Sequence, residues 1–274
     1  MTYKNKSGVA GLAAIFAFAL VTPGMAEDGD PEPRVLDLID QVNFYGGIDY
    51  SEGDYGSDVA DTEIFYAYGS AEVELDRFRA RVTIPWIDIE GPGGVTGGPG
   101  DSIIVGPGST IIESNSGLGD IILEGGYLFG ENDSPFPFVE LVGKIKLPTA
   151  DEDEGLGTGK TDFTVQADLF KQYEQTTLFG TIGYKIFGDP DGFNLNNTVF
   201  TSIGVSQKLN DQFSVGGAFD WREATSEFSE DIVEFSPFAS WRFTDNWRFT
   251  GYGVIGFSDG SPDLGGGLAL KYAY

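Results

Sequence analysis

The chain has 274 residues, with 43 Asp and Glu against 16 Lys and Arg and a formal net charge of −27 at pH 7. It contains neither cysteine nor histidine, which excludes disulfides, thiol chemistry, histidine metal sites and Ser-His-Asp hydrolysis. The acidic balance also disfavours nucleic acid, whose phosphates need clustered basic residues on an accessible face.

The first 26 residues have the layout of a secretory signal peptide. Lys4 and Lys6 precede an apolar run from Val9 to Val21, and Gly24-Met25-Ala26 places small residues at the expected cleavage site. The apolar run is shorter than the roughly 20 residues of a membrane-spanning helix. Residues 27–40 then form a periplasmic N-terminal segment. Within it and just beyond, RVLDLIDQV (Arg34 to Val42) sets Val35, Leu38, Ile39 and Val42 at helical spacing. Either a short plug helix or a simple tether into the first strand satisfies that pattern.

From residue 41 the period changes to two. Twelve alternating runs succeed one another, at about 41–50, 62–75, 78–89, 117–129, 136–147, 161–170, 176–188, 197–209, 212–222, 232–243, 247–257 and 264–274. Most exceed the five or six residues usual in soluble sheets and match the roughly 9–11 that cross a bilayer as a tilted strand. Short turns alternate with long connections, the arrangement of an outer-membrane barrel. Residues 41–274 are therefore expected to form an all-β, transmembrane, antiparallel up-and-down barrel of about twelve strands, with both termini on the periplasmic side.

Taking the more apolar parity of each run as the lipid face leaves that face without charge. The opposite parity collects the charges. Expected along the lumen are Glu72, Glu74, Arg79, Arg81, Glu124, Glu140, Lys144 and Lys146 from the first half of the barrel. The second half adds Asp168, Lys185, Asp220, Arg222, Glu234, Arg242 and Arg248. Trp86 and Trp221 end strands near the outer surface, while Trp241 and Trp247 flank a turn on the other side, as interfacial tryptophans do. The final run, LALKYAY, ends on an aromatic and is similar to the C-terminal signal read by the barrel-insertion machinery.

Two connections have features of their own. SIIVGPGSTIIE (Ser102 to Glu113) has two apolar arms around Gly106-Pro107-Gly108. Ser102, Ile103, Ile104 and Val105 on one arm, and Thr110, Ile111, Ile112 and Glu113 on the other, are candidates for a gate folded over or into the barrel. A surface flap is the alternative. DEDEGLGTGKTD (Asp151 to Asp162) has a phosphate-loop look, but Gly155 stands one place too close to Lys160 for that loop. The adjoining TDFTVQADLF (Thr161 to Phe170) alternates like a strand instead of opening a helix. The acids lack the spacing of a calcium loop, and no cofactor or metal site is expected.

SGLGDIILEGGYLF (Ser116 to Phe129), KLPTAD (Lys146 to Asp151), GLGTGKTDF (Gly155 to Phe163) and IGYKIFGD (Ile182 to Asp189) resemble the outer-membrane family labelled after the MetA pathway of phenol degradation. Where that pattern has glycine after Pro-Thr, this chain has Ala150. The resemblance implies a barrel for uptake of small, often aromatic or apolar solutes, with outer-membrane lipid and lipopolysaccharide as surroundings. A closed structural barrel with acidic outer loops is the second reading, and an outer-membrane enzyme is disfavoured by the lack of histidine.

Overall fold

In the computed structural model, residues 39–55, 60–92, 95–96, 104–105, 111–130, 135–190 and 194–274 are described. They contain strands and no helix. The strands are β1 (Gln41–Gly53), β2 (Thr62–Leu75), β3 (Phe78–Pro92), β4 (Val95–Thr96), β5 (Ile104–Val105), β6 (Ile112–Leu118), β7 (Ile121–Phe129) and β8 (Phe138–Leu147). The remainder are β9 (Asp162–Tyr173), β10 (Thr176–Ile186), β11 (Thr198–Lys208), β12 (Phe213–Arg222), β13 (Ile232–Arg242), β14 (Trp247–Gly256) and β15 (Leu264–Ala273). Each long strand pairs antiparallel with the next, and β1 pairs with both β2 and β15, so the sheet closes on itself. With β6 and β7 counted as one bent strand this is a twelve-stranded barrel. The signal peptide and most of the N-terminal segment fall outside the described residues. Val42, although it fits the helical spacing of its segment, lies in β1 opposite Val73.

The bend between β6 and β7 is a bulge. Trp86 faces Leu118 and Thr83 faces Ile122, so one extra residue sits on the second strand between those pairs. Gly119 fills the crowded position: a Cβ there would stand 2.8 Å from Ile87 Cδ1 and 2.9 Å from Pro85 Cγ. The extra residue lets Leu118 and Ile121 both face out while Asp120 is buried inside.

The outward face is apolar through the middle of the barrel, with Leu123, Leu141, Val165, Leu178, Ile182, Ile203 and Leu268 exposed. Such a surface belongs in lipid, because an apolar patch of this extent is not left in water. At the short-turn end a chain of rings runs from Phe213 to Trp241 (centroids 5.8 Å apart), Phe243 (5.3 Å), Trp247 (6.2 Å) and Tyr272 (4.7 Å). This is an interfacial aromatic girdle. The uncharged outer face does not extend to the full length of the strands. Glu52, Glu63 and Glu90 lie in cross-strand register beyond Tyr50 and Trp86, and Asp88 is exposed beside them. β1 to β3 are longer than a membrane crossing requires, so their acidic ends project past the hydrocarbon at the long-loop end.

Inside, several large rings lie flat against directly opposing glycines. Tyr68 covers Gly47, Phe200 covers Gly183, Phe179 covers Gly204, Phe238 covers Gly216 and Tyr252 covers Gly267. A Cβ at Gly204 would collide with the Phe179 ring. The rings therefore follow the wall instead of crossing the lumen.

Leu123→Arg is expected to lower stability in lipid by about 2–4 kcal/mol, read from reversible unfolding in vesicles, while Ser206→Ala on the inner face changes it little. Gly204→Val is expected to force Phe179 off the wall and to lower stability by about 1–3 kcal/mol, as overpacking does.

Candidate functional site

The first part of the candidate site is a wall of paired charges on β2, β3, β7 and β8. Strand register sets acids opposite bases: Glu72 faces Arg81, Glu74 faces Arg79, and Glu124 faces both Arg81 and Lys144. Arg79 Nε donates to Glu140 at 2.5 Å and approaches Glu72 at 3.6 Å. Arg81 Nε donates to Glu72 at 2.9 Å, and its guanidinium reaches Glu124 at 3.7 Å, where Lys144 also comes within 3.5 Å. β1 completes the cluster from the side. Asn43 donates to Glu72 (3.0 Å) and Glu74 (2.6 Å), and the Tyr45 hydroxyl donates to Glu72 at 2.8 Å. Arg81 stacks over the Tyr45 ring at 4.5 Å. Buried charges demand such partners, since an unpaired one has lost its water without compensation.

A second cluster lies nearer the long loops. Lys146 Nζ meets Asp120 at 2.9 Å and Asp162 at 3.1 Å, and donates to Thr158 Oγ1 at 3.1 Å. Lys185 reaches the same Asp162 at 3.5 Å, and Gly188 N donates to its other oxygen at 3.1 Å. Asp120 accepts the backbone amides of Thr149 and Ala150, each at 2.9 Å. Thr149 Oγ1 donates to Gly119 O and accepts from Ile121 N. The four sequence pieces SGLGD, KLPTAD, GLGTGKTD and IGYKIFGD are therefore parts of one clasp. It ties the connection from Pro148 to Thr161 down against the barrel wall. Gly155 and Gly159 have φ of +70° and +65°, the left-handed region that glycine occupies without strain. They turn Leu156 inward, where it is 2 % exposed.

Leu156 joins an apolar cluster with Ile64 and Tyr66 of β2, Ile87 and Ile89 of β3, Val95 and Tyr55. All face the inside at the long-loop end. Tyr55, from the connection after β1, is fully buried and donates to Ser51 Oγ at 2.9 Å. Burial drives its hydroxyl well above the ordinary phenol range, so it stays protonated.

The opposite wall, β11 to β15, has a different lining. Ser202, Gly204, Ser206, Gly216, Ser236, Ser240, Thr250 and Gly267 face inward there. It also carries charges: Asp220 and Arg222 on β12, Glu234 and Arg242 on β13, Arg248 on β14 and Lys271 on β15. Asp220 stands in register beside both Ser202 and Glu234, and Arg222 meets Glu234 at 3.5 Å. Asp168 accepts from Gln166 and Thr181 on the adjoining β9 and β10. Arg242 and Arg248 sit at the short-turn end with Gln172, Gln175 and Lys208 around a cavity of about 40 Å³, room for a few waters. The exposed Asp211 beside it is held below the usual carboxylate range by a hydrogen bond from Lys208. Parity assigns the strand residues among these to the inner face. It does not say which of them become neighbours, because that depends on strand order and register.

Among the described residues, the two arms of the candidate gate do not pair with each other. Ile104 and Val105 pair with Thr96 and Val95, while Ile112 and Glu113 continue the main sheet opposite Pro92 and Gly91. Ile104 packs on Phe187 and Leu195, and Ile111 and Ile112 are exposed. Ser102, Ile103 and Thr110 lie outside the described residues. Two apolar arms around a turn suggest mutual pairing, but here one arm pairs with the short β4 and the other extends the main sheet along β3. Among the described loop residues, Tyr55 and Leu156 enter the apolar cluster at the mouth, and a lone apolar residue in a glycine-rich loop is the sequence signal for Leu156.

Glu72→Ala is expected to destabilise the barrel by about 3–5 kcal/mol by leaving Arg79 and Arg81 undercompensated, with Glu72→Gln costing less. Asp120→Ala is expected to release the 148–161 connection, read as faster protease cleavage within it while the barrel band stays intact on a gel.

The comparisons with known proteins agree with this architecture. The COG4313 outer membrane channel from Pseudomonas putida F1 superposes with a TM-score of 0.66 at 14% identity, covering 91% of this chain and 100% of that one. The translocator domain of autotransporter NalP from Neisseria meningitidis superposes at 0.53 with 11% identity, covering 85% and 88%. The transport unit of the autotransporter AIDA-I from Escherichia coli gives 0.50 at 12% identity, covering 85% and 90%. No curated protein matches the chain by sequence. At these identities the superpositions establish the outer-membrane β-barrel fold. The family model described as "Putative MetA-pathway of phenol degradation" matches residues 66–274, and the chain belongs to that family.

Proposed function

We propose that the chain is an outer-membrane channel for small, uncharged, apolar or aromatic solutes. The observation that carries this reading is the apolar cluster on the inner face of the mouth. A conduit for ions or sugars would present polar groups there, whereas Ile64, Tyr66, Ile87, Ile89 and Leu156 are all buried and five of the cluster's members come from the strands themselves or their ends. Below it the hydroxyls of Ser202, Ser206, Ser236, Ser240 and Thr250 on β11 to β14 would line the path. The charged wall opposite narrows that path and holds its width by fixed ion pairs. Membership of a family labelled for phenol degradation supports the same solute class, and the likeness to an outer membrane channel supports conduction.

Export would depend on residues 1–26, and assembly on recognition of the final strand by the insertion machinery. The outward acids Glu52, Glu63, Asp88 and Glu90 would face the lipopolysaccharide headgroups. The paired Arg–Glu network favours a second reading, a closed barrel whose charges only pack its interior.

The two readings separate in outer-membrane vesicles from a Gram-negative host made with and without the chain. Uptake of a labelled monocyclic aromatic is expected to rise with the chain present, while single-channel current in planar bilayers stays small. Equal uptake with and without the chain would sink the channel reading and leave the closed barrel.

A further inference from the structure

Tyr55 is an unusual side chain for a loop beside a membrane barrel. Its backbone is in the left-handed region, with φ of +48°, a conformation that a bulky side chain adopts only when its surroundings hold it there. The ring is nevertheless completely buried, pressed into the inward-facing cluster of Ile64, Tyr66, Ile87, Ile89 and Leu156. Its hydroxyl donates to Ser51 Oγ, and Ser51 is itself an inward residue of β1 that is 4 % exposed. Leu156, the other loop residue in the cluster, is held there by the clasp around Asp120 and Lys146. Strand side chains thus form a socket, and two loop side chains fill it.

We infer that this socket is a binding site for a monocyclic phenol, which Tyr55 occupies as an internal stand-in. The inference rests on the channel reading above and gives that channel its recognition site. The occupant already in place has the chemistry of the proposed ligand: one aromatic ring in an apolar wall and one neutral hydroxyl against Ser51. A benzene-like solute would fill the wall and leave Ser51 without its partner. A charged aromatic acid would bring an uncompensated charge into it. Release of the strained Tyr55 backbone would help the loop side chain to leave when a free phenol takes its place. Leu156 leaves only if the clasp loosens, so the two plugs differ in how readily they yield.

The test uses the refolded full barrel in lipid nanodiscs. Tyr55→Ala vacates the ring, and binding of phenol and of benzene is measured by equilibrium dialysis. Phenol is expected to bind Tyr55→Ala saturably and about fivefold more tightly than benzene, the preference one neutral hydrogen bond supplies. The double variant with Ser51→Ala is expected to bind the two equally. Wild-type barrel is expected to bind phenol more weakly than Tyr55→Ala, because its own ring competes. Should Tyr55→Ala fail to assemble, Leu156→Ala opens the other half of the socket and is expected to tighten phenol binding over wild type. Assembled variants that bind phenol no better than wild type overturn the inference, as does a phenol preference that survives Ser51→Ala. If wild-type vesicles take up labelled aromatic while the variants bind nothing, the site fails and the channel reading stands. If vesicles take up none, the channel reading fails, and dialysis on Tyr55→Ala still decides the socket.

Discussion

In hydrocarbon no water is available to satisfy a backbone N–H or C=O, and every such group must find its partner within the protein. For a chain of strands this constraint has one solution, closure, and here it is met where β1 pairs with β15 from Asn43↔Ala273 to Glu52↔Leu264. That seam joins the two ends of the barrel in sequence and removes the edges a sheet would otherwise expose. Closure in turn creates an inside, and it is closure that turns simple alternation into two surfaces of opposite character.

The inside of a barrel this narrow has to be filled without wasting charge or clashing across the axis. Two devices do this. Acids and bases are set opposite one another on adjacent strands, so that Glu72, Arg81, Glu124 and Lys144 compensate one another locally. Rings are laid over glycines on the facing strand, which keeps Phe179, Phe200 and Phe238 against the wall. The first device is densest on β2 to β8 and the second on β10 to β15, although Arg222 and Glu234 also pair on β12 and β13.

The glycine-rich GLGTGKTD piece has its explanation in the same economy of space. Its positive-φ glycines, Gly155 and Gly159, fold the connection back so that Thr158 meets Lys146 and Leu156 enters the mouth. Gly157 lies so close to Ala150 and Asp120 that a side chain there would collide. A lysine after glycines suggests a phosphate site only because the local string looks similar. The charged partners gathered around this clasp are carboxylates and lysines of neighbouring strands, Asp120 and Asp162 with Lys146 and Lys185.

Alternation is a local property, so the strand count, the approximate strand ends and the apolar middle of the outward face are readable along the chain. The same holds for the girdle tryptophans, whose placement follows from strand ends. The bulge at Gly119-Asp120 is not legible, since it shifts parity by one residue and becomes evident only opposite β3. Nor are the acidic strand ends outside the membrane, because how far a strand projects depends on its neighbours' lengths. Among the described residues of the Ser102 to Glu113 stretch, Ile104 and Val105 pair with β4 and Ile112 and Glu113 with β3 for a related reason: apolar segments pair with whichever edge the fold presents. The socket around Tyr55 and Leu156 depends on two loops and three strands meeting at one end of the barrel. Its residues lie as much as 105 positions apart in the numbering, from Ser51 to Leu156 (156 minus 51). Local pattern determined the wall; only closure, which brings distant strands and loops to one mouth, decided what the wall encloses.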